Sequence, residues 1–468
     1  MKKLARTISG VTPVAVMTGP MRCPGQCVYC PTYPETPRSY TPESPAVLRA
    51  RRCDYDAGRQ VSVRLKILAE MGHPTDKIEL IVMGGTFLAY PEDYQYQFIK
   101  DCYDALNGTP SATLAEAKQL NETASHRCTG LCLETRPDWC RQEQIDRMLE
   151  FGATRVELGV QTLDDNIYQL VRRRHKVADV VNATQLLREH GFKVHYHWMP
   201  GLPGSTPERD LELSRQLFSD DRFRPDGLKL YPTMVVAGTE LEKWYRTGCY
   251  QPYPADTMTQ LVVDIKSIVP RYVRISRVLR DIPPKFIVGG LRDSLRDVIK
   301  ERMKRMSMEC QCIRCREYGH RVQDGWETGE PGLVRMDYPA ADGREIFLSY
   351  EDGKGTLFGL LRLRIQTTCG EGRWRAKPIA RLGQDTKGNL ALIRELHIYG
   401  AEVPLQQRDP AAAQHKGLGK ALLAEAERIA IHEFQAHQIA VLSGVGAREY
   451  YRTEFGYNLQ ADYMVKKL

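Results

Sequence analysis

Cys23, Cys27 and Cys30 stand in the stretch CPGQCVYC at C-x3-C-x2-C spacing. Three thiolates so placed can take three corners of a 4Fe–4S cube and leave the fourth iron without a protein ligand. Clusters used only for electron transfer or structure normally carry cysteine at every corner, so an open iron points to chemistry on something bound there. Plain structural or zinc-binding cysteines are the alternative. A second group, Cys310, Cys312 and Cys315, lies within six residues, with His320 five residues further on. That pattern fits a compact tetrahedral zinc site closed by one more ligand; a run of reduced thiols is the competing reading. His320 is the nearest candidate for that ligand, with His195, His197 or another distant residue as alternatives. A third feature is the Gln414-x-x-Gly417-x-Gly419 turn that opens the helical run GKALLAEAERIAIHEF. Exposed backbone N–H groups and the positive end of a helix dipole suit a pyrophosphate there.

The elements that must hold these groups are legible in the hydrophobic pattern. Six strand-like runs follow the first cysteines: IELIVM (78–83), LCLET (131–135), RVELGV (155–160), KVHYHWM (193–199), GLKLYP (227–232) and YVRIS (272–276). Amphipathic stretches such as RQEQIDRMLEFG and VADVVNATQLLREHG separate them. Strands alternating with helices pair in parallel, which predicts a barrel or partial barrel of six βα units with ligands at the strand C-termini. Gly84 and Gly85, just past the first run, let backbone approach a ligand's ammonium, and Glu134 can accept from an amine or a ribose hydroxyl. Gln161 and the loop MPGLPG (199–204) end the third and fourth. From about residue 281 the alternation breaks into a Pro/Gly-containing connector, a very basic helix and the second cysteine group. The last third carries strands REIFLSYE, TLFGLLRLRI and LALIRELHIYG with turns between them, an antiparallel meander, then the helix after Gly417 and the strand QIAVLS. The predicted organisation is 1–280, 281–330 and 331–468.

A chain of 468 residues with 42% hydrophobic and 26% charged residues is of ordinary globular composition and favours two or three domains. No run of eighteen apolar residues occurs, so neither membrane span nor signal peptide is read. Thirteen cysteines without a secretory signal point to metal ligands and buried thiols in a reducing compartment, with the cytoplasm as default. Net charge is +8, and from Arg271 to Arg305 eleven Arg and Lys face four acids. Clustered cations gain affinity for a polyanion by releasing its counterions; a solvated helix face is the other explanation of such a run.

With an aromatic residue just before its third cysteine, the first motif resembles the radical S-adenosylmethionine (SAM) superfamily. The resemblance implies that SAM chelates the open iron and is cleaved reductively to a 5′-deoxyadenosyl radical, with Gly84, Gly85, Glu134 and Gln161 around it. Thr86 stands where an acid is commoner. The glycine turn, preceded by a long strand and followed by GVGAREYYRTEFGY, resembles the acetyl-CoA site of the GNAT acetyltransferases. In that family a splayed strand, here around Leu396, His397 and Ile398, bonds the pantetheine like an added sheet strand. Together MGGTF, ETRPD, MPGLPG, LYPT, RELHIYG, QHKGLGKALL and SGVGAREYY resemble, over nearly the whole chain, the catalytic subunit of Elongator in its stand-alone archaeal and bacterial form.

That resemblance implies an α/β chain with a partial (β/α)6 radical-SAM barrel, a zinc-containing linker and an α+β GNAT acetyltransferase domain. It implies carboxymethylation at carbon 5 of the wobble uridine of tRNA from acetyl-CoA and SAM, with tRNA-stimulated acetyl-CoA hydrolysis and a reductant for the cluster. By position, Cys23, Cys27 and Cys30 ligate the cluster, and Lys77 reaches acetyl-CoA across the domain boundary. Glu395, Leu396, His397, Ile398, Gly417, Leu418, Gly419 and Tyr450 match acetyl-CoA contacts, His397 and Tyr450 being the candidates for ordering water or substrate in catalysis. Arg172, Arg173, Lys266, Arg274, Arg277 and Arg280 are the candidate tRNA contacts. A single chain and a homodimer are both open. Two departures stand out: the first cysteine spacing is tighter than in eukaryotic members, and only twenty-two residues precede Cys23, where many members carry a longer basic arm. A rival reading is a protein lysine acetyltransferase with a structural iron–sulfur domain and Glu395 as base. A catalytically dead RNA-binding scaffold is a third, and the intact cysteine triad argues against it.

Overall fold

The computed structural model describes residues 7–291, 295–366, 389–400 and 417–468. Its first sheet is entirely parallel, in the order β1 (Thr12–Met17), β2 (Lys77–Met83), β3 (Arg127–Thr135), β4 (Arg155–Gln161), β5 (Lys193–Trp198), β6 (Gly227–Leu230) and β8 (Arg274–Val278). The expectation of six strands is therefore corrected to seven. The addition, β1, lies in the N-terminal apolar stretch interrupted by Pro13. Proline cannot donate to a ladder, which suits it to an edge, and β1 is the edge strand.

Side chains alternate across each strand, and here the alternation sorts apolar from polar. In β2, Ile78, Leu80 and Val82 are fully buried in one cluster with Val61, Leu65, Phe98 and Ile99 of the outer helices Ala57–Glu70 and Glu92–Asn107. Their neighbours Glu79, Ile81 and Met83 face the lumen. Strand β4 repeats this with Arg155, Glu157, Gly159 and Gln161 inward, and β5 with Lys193, His195 and His197. Closed eight-stranded βα barrels usually fill the lumen with branched aliphatic residues. This lumen is lined with charge and stays open.

The short strands β7 (Val235–Val236) and β9 (Ile287–Gly289) form an antiparallel ribbon, and the basic helix Leu295–Arg305 leads to the second cysteine group. The second sheet has the order β10 (Gly332–Ala340), β11 (Gly343–Glu351), β12 (Leu357–Gln366), β13 (Asn389–Ile398), β14 (Ala436–Val441), β16 (Tyr463–Lys467) and β15 (Asn458–Gln460). Neighbours are antiparallel except β13 with β14. The expected meander is β11 to β13, with β10 added before it. One face packs Ile346, Leu361 and Ile393 against Leu422, Leu423, Ala426 and Ile429 of helix Leu418–His432.

The other face docks on the N-terminal ends of the barrel strands. A β-bulge makes the joint: the register steps from Arg362 opposite Glu395 to Leu363 opposite Ile393, leaving Arg394 unpaired in the ladder. Bulges re-aim side chains, and here two successive residues turn toward the barrel. Arg394 donates to both Asp226 oxygens at 2.8 Å and to Glu345, while Glu395 accepts from Arg362 at 2.7 Å and lies 3.4 Å from Lys193. Carbonyls just before β5 and β8, of Phe192 and Tyr272, accept from Arg394 and Arg362. Strand β13 pairs with β12 as far as Ile398 but with β14 only as far as Ile393, so residues 394–398 have an open edge on the β14 side.

Candidate functional site

The cysteine loop sits past the C-terminal ends of the strands. Cys23 Sγ lies 3.4 Å from Thr86 Oγ1, just after β2, and Cys30 Sγ lies 3.1 Å from Ser39 Oγ. Between them Gly84 has φ of +140°, and a Cβ there would fall 1.8 Å from Thr18 Oγ1, so only glycine permits this approach. Arg173 Nη1 donates to Cys27 Sγ at 3.4 Å. Burial raises the Cys27 thiol, but Arg173 and Arg136 outweigh it and hold it below the usual range. Burial and Cys27 raise Cys30, against the pull of Ser39, Arg38 and Arg280. Thiols ringed by guanidiniums suit an anionic group. Gln161 Oε1, a buried acceptor without a hydrogen-bond partner among the described residues, and Tyr29, which interacts with Cys27, line the same space. The donor set thus fits a three-thiolate iron–sulfur cluster with a polar small molecule beside it.

One cavity of about 480 Å³ has Cys23, Cys27 and Cys30 at one end and Glu395, His397 and Tyr399 at the other. It traverses the barrel lengthwise, and a seven-residue strand rises about 20 Å. Along it, cations and carboxylates alternate. Tyr40 and Lys229 donate to Glu134 at 3.2 and 3.1 Å, and Lys229 also pairs with Glu157. His197 Nε2 lies 3.2 Å from Glu157, and Arg155 bridges Glu157 and Glu79. Glu134, Glu157 and His197 bring potential metal-ligand atoms within 4.8 Å of one another, but the Lys229 ammonium sits on both carboxylates. Burial opposes the charge of Glu395, yet Lys193 and Arg362 hold its carboxyl well below the usual range, which makes it a weak base.

His397 Nε2 lies 2.6 Å from the carbonyl of Ser9. A carbonyl only accepts, so Nε2 carries the proton and Nδ1 is the nitrogen able to take one. Burial lowers the imidazole below its ordinary value, keeping it neutral near pH 7.

Residues 19–217 match the model of the radical SAM superfamily, and residues 225–305 that of the radical SAM C-terminal domain. Over 468 residues the chain is 63% identical to the tRNA uridine(34) acetyltransferase of Dehalococcoides mccartyi, covering all of both. It is 43% identical to human Elongator complex protein 3, over all of this chain and 86% of the human protein. The chain belongs to the Elongator complex protein 3 family. The solved structure of Methanocaldococcus infernus Elp3 lacking residues 1–46 superposes with a TM-score of 0.85 at 43% identity, covering 99% of this chain and all of that one.

The acetyl-CoA positions implied by the family divide between two faces of β13. Leu396 and Ile398 pack with the helix-side core. A Cβ built at Gly419 would lie 3.6 Å from both Ile398 Cγ1 and Tyr450 Oη, so these three meet. Gly417 caps helix Leu418–His432 with φ of +73°; Gln414 falls outside the described residues. Glu395 and His397 face the barrel cavity instead, so the two catalytic candidates His397 and Tyr450 stand on opposite faces. Lys77 starts β2 in register with Arg127, and Arg127 packs so closely on Gly446 that a Cβ there would come within 2.4 Å of it. That contact sets Lys77's end of the barrel against the loop leading to Tyr450.

Several expected phosphate contacts have other partners. Arg173 is buried on Cys27, and Lys266 is buried with Nζ 3.8 Å from Cys315 Sγ. Arg274 pairs with Glu317 inside the cavity. Arg277, paired with Asp281, and Arg280, donating to the Ser39 carbonyl, line the cavity, while half-exposed Arg172 stands near Glu240. Cys310, Cys312 and Cys315 bring their sulfurs within 4.8 Å of one another, the spacing of a single ion bound at about 2.3 Å. His320, the nearest candidate fourth ligand, is turned away: its Nε2 lies 2.9 Å from Glu317. The lumen residues Glu79, Arg155, Glu157, Lys193 and Lys229 were missed by motif reading. Their signal was the charge inside otherwise apolar strands, as in KIELIVM and RVELGVQ.

Proposed function

We propose that this chain modifies the wobble uridine of tRNA, joining the methyl carbon of the acetyl group of acetyl-CoA to carbon 5 of the base in exchange for one hydrogen from each, and releasing CoA by hydrolysis of the thioester to leave a carboxymethyl group. The observation that carries this is the single cavity linking the cysteine triad to His397. When bound, a 4Fe–4S cluster and SAM supply carbon-radical chemistry. Cys23, Cys27 and Cys30 would hold the cluster, with Arg173 and Arg136 balancing its charge and Glu134, Gln161 and the backbone at Gly84 and Gly85 orienting SAM. The second domain reads as a GNAT fold, with acetyl-CoA along the open edge of residues 394–398 and its pyrophosphate at Gly417 to Gly419. His397 Nδ1 would accept a proton from the water that attacks the thioester, since Nε2 is engaged by the Ser9 carbonyl. Three close thiols support a structural zinc that Cys310, Cys312 and Cys315 would hold. Among the described residues no helix is long and apolar enough to cross a membrane, and a tRNA-modifying enzyme fits the cytoplasm.

The lysine acetyltransferase alternative loses its proposed base, because Glu395 is locked between Lys193 and Arg362. The test is mass spectrometry of the wobble uridine after anaerobic incubation of tRNA with reduced, reconstituted protein, SAM and acetyl-CoA. A carboxymethyl product that requires all three is expected; unmodified uridine together with acetylated protein lysines would overturn the reading. Free CoA release should also accelerate when tRNA is added.

A further inference from the structure

Two arginines two residues apart are treated oppositely by this fold. Arg316 is saturated: it donates to the carbonyls of Gln311 and Arg271 at 2.9 and 2.8 Å and pairs with Glu351 at 2.8 Å. Arg314 lines the shared cavity and makes no hydrogen bond or ion pair with any described residue. The carboxylate whose charge reaches it, Glu317, is already held by Arg274, by Ser9 Oγ at 3.0 Å and by His320. Arg296 and Arg274 crowd it with further positive charge.

Its mount is stiff. The single helical turn Ile313–Arg316 is capped by Cys312, pinned by the Ile313 N–H on the carbonyl of Val273 at 2.9 Å, and carries Cys315 of the compact thiol group. A guanidinium carried on a pinned turn, facing a cavity and without an ion pair among the described residues, is available to an external oxyanion, and the stiff turn leaves only the side chain to be ordered on binding. Two phosphate sources are in play. The glycine turn at 417–419 does not line this cavity, which sets a pyrophosphate held there apart from Arg314. Arg277 and Arg280 do line it, extending a cationic track along which a nucleic-acid backbone can lie.

We propose that Arg314 seats a backbone phosphate flanking the nucleotide that enters the cavity, and that the tri-cysteine turn serves as its mount. This rests on the tRNA reading above.

The test uses full-length reconstituted protein and an anticodon stem-loop, unmodified or with a methylphosphonate replacing one phosphate beside the wobble uridine. R314Q should weaken stem-loop binding about tenfold and reduce the slope of log affinity against log salt by about 0.7–0.9. R314K should recover part of the loss. Acetyl-CoA affinity and iron and zinc content should match the wild type. At one of the two flanking positions the neutral linkage should weaken wild-type binding by a similar factor and leave R314Q indifferent. If R314Q melts early, the same comparison between wild type and R314K carries the test. Unchanged stem-loop affinity, or additive effects of R314Q and the methylphosphonate at both positions, would overturn the assignment. Lost acetyl-CoA affinity in place of RNA affinity would assign the anion to CoA and also overturn it. A wild type that binds no stem-loop brings down the tRNA reading itself.

Discussion

Arginines are buried at both ends of the barrel, and they are answered by different chemistry. At the domain joint, Arg188, Arg362, Arg364 and Arg394 meet Asp226 and Glu345, all six at most 1% exposed. At the cysteine end, Arg173 lies on the Cys27 sulfur and the carbonyl of Gly159, and Arg136 on Asp138 and the carbonyl of Arg173. Counter-charges of the first kind belong to the chain and fix how two domains dock. At the second end Arg173 faces the Cys27 sulfur, which carries negative charge only as the thiolate, the form that ligates a metal. The buried guanidiniums at the joint are thus answered by carboxylates of both domains, whereas at the cysteine end Arg173 is answered by the Cys27 sulfur and a carbonyl.

The sharpest test of that distinction is Cys27→Ala. It should abolish both the reconstituted cluster and the modified wobble uridine, measured by iron analysis and nucleoside mass spectrometry. A variant that kept a full cluster would break the comparison outright.

Asp226→Ala should act on the other end. It removes a carboxylate that accepts from Arg394, Arg188 and the Val194 N–H, leaving buried guanidiniums uncompensated. A loss of about 3–5 kcal/mol in chemical denaturation is expected. Arg173→Met should do the converse, lowering iron retained after reconstitution several-fold while shifting the thermal midpoint less than Asp226→Ala does. Equal losses of iron and stability in both variants would show that the two ends are not distinct.

The smallest expected effect concerns pH. Burial works against the charge of Glu317, but Arg274 and His320 outweigh it and hold the carboxyl at about 2, below its ordinary 4.5. A carboxyl depressed by folding stabilises above its unfolded value and loses that contribution as pH falls toward the folded one. The advantage of wild type over Glu317→Gln, roughly 2–3 kcal/mol near neutrality, should shrink between about pH 4.5 and pH 2. Thermal melts of both proteins across that range measure it. A constant difference would mean that the Arg274 pair contributes no net charge stabilisation.

Motifs with fixed spacing were readable without coordinates. The cysteine triad, the glycines after β2 and the Gly417 turn are each made of groups close together in the chain, so the chemistry they suit is written locally. Strand order was readable for the same reason, since apolar runs and helical stretches alternate regularly. Strand β1 escaped because Pro13 looks like a breaker, although an edge position tolerates it. At the second cysteine group sequence nearness points to His320, whereas folding sets that imidazole on Glu317 and brings Lys266, forty-nine positions away, against Cys315.

The amino-acid order by itself determined which residue types could hold a cluster, a pyrophosphate and a polyanion, because those choices depend on spacing within a few residues. Tertiary structure alone decided that the cysteine triad and His397 share one space and that the glycine turn lies outside it. The second sheet docks on the N-terminal ends of the barrel strands, so the inward side chains of β2, β4, β5 and β6 become the walls of a passage from Cys27 to His397. It also separated His397 from Tyr450, because the pleat sends residues 397 and 398 to opposite faces of β13. Whether two side chains meet across such a distance depends on docking and on one bulge at Arg394, and neither is written in the spacing of any motif.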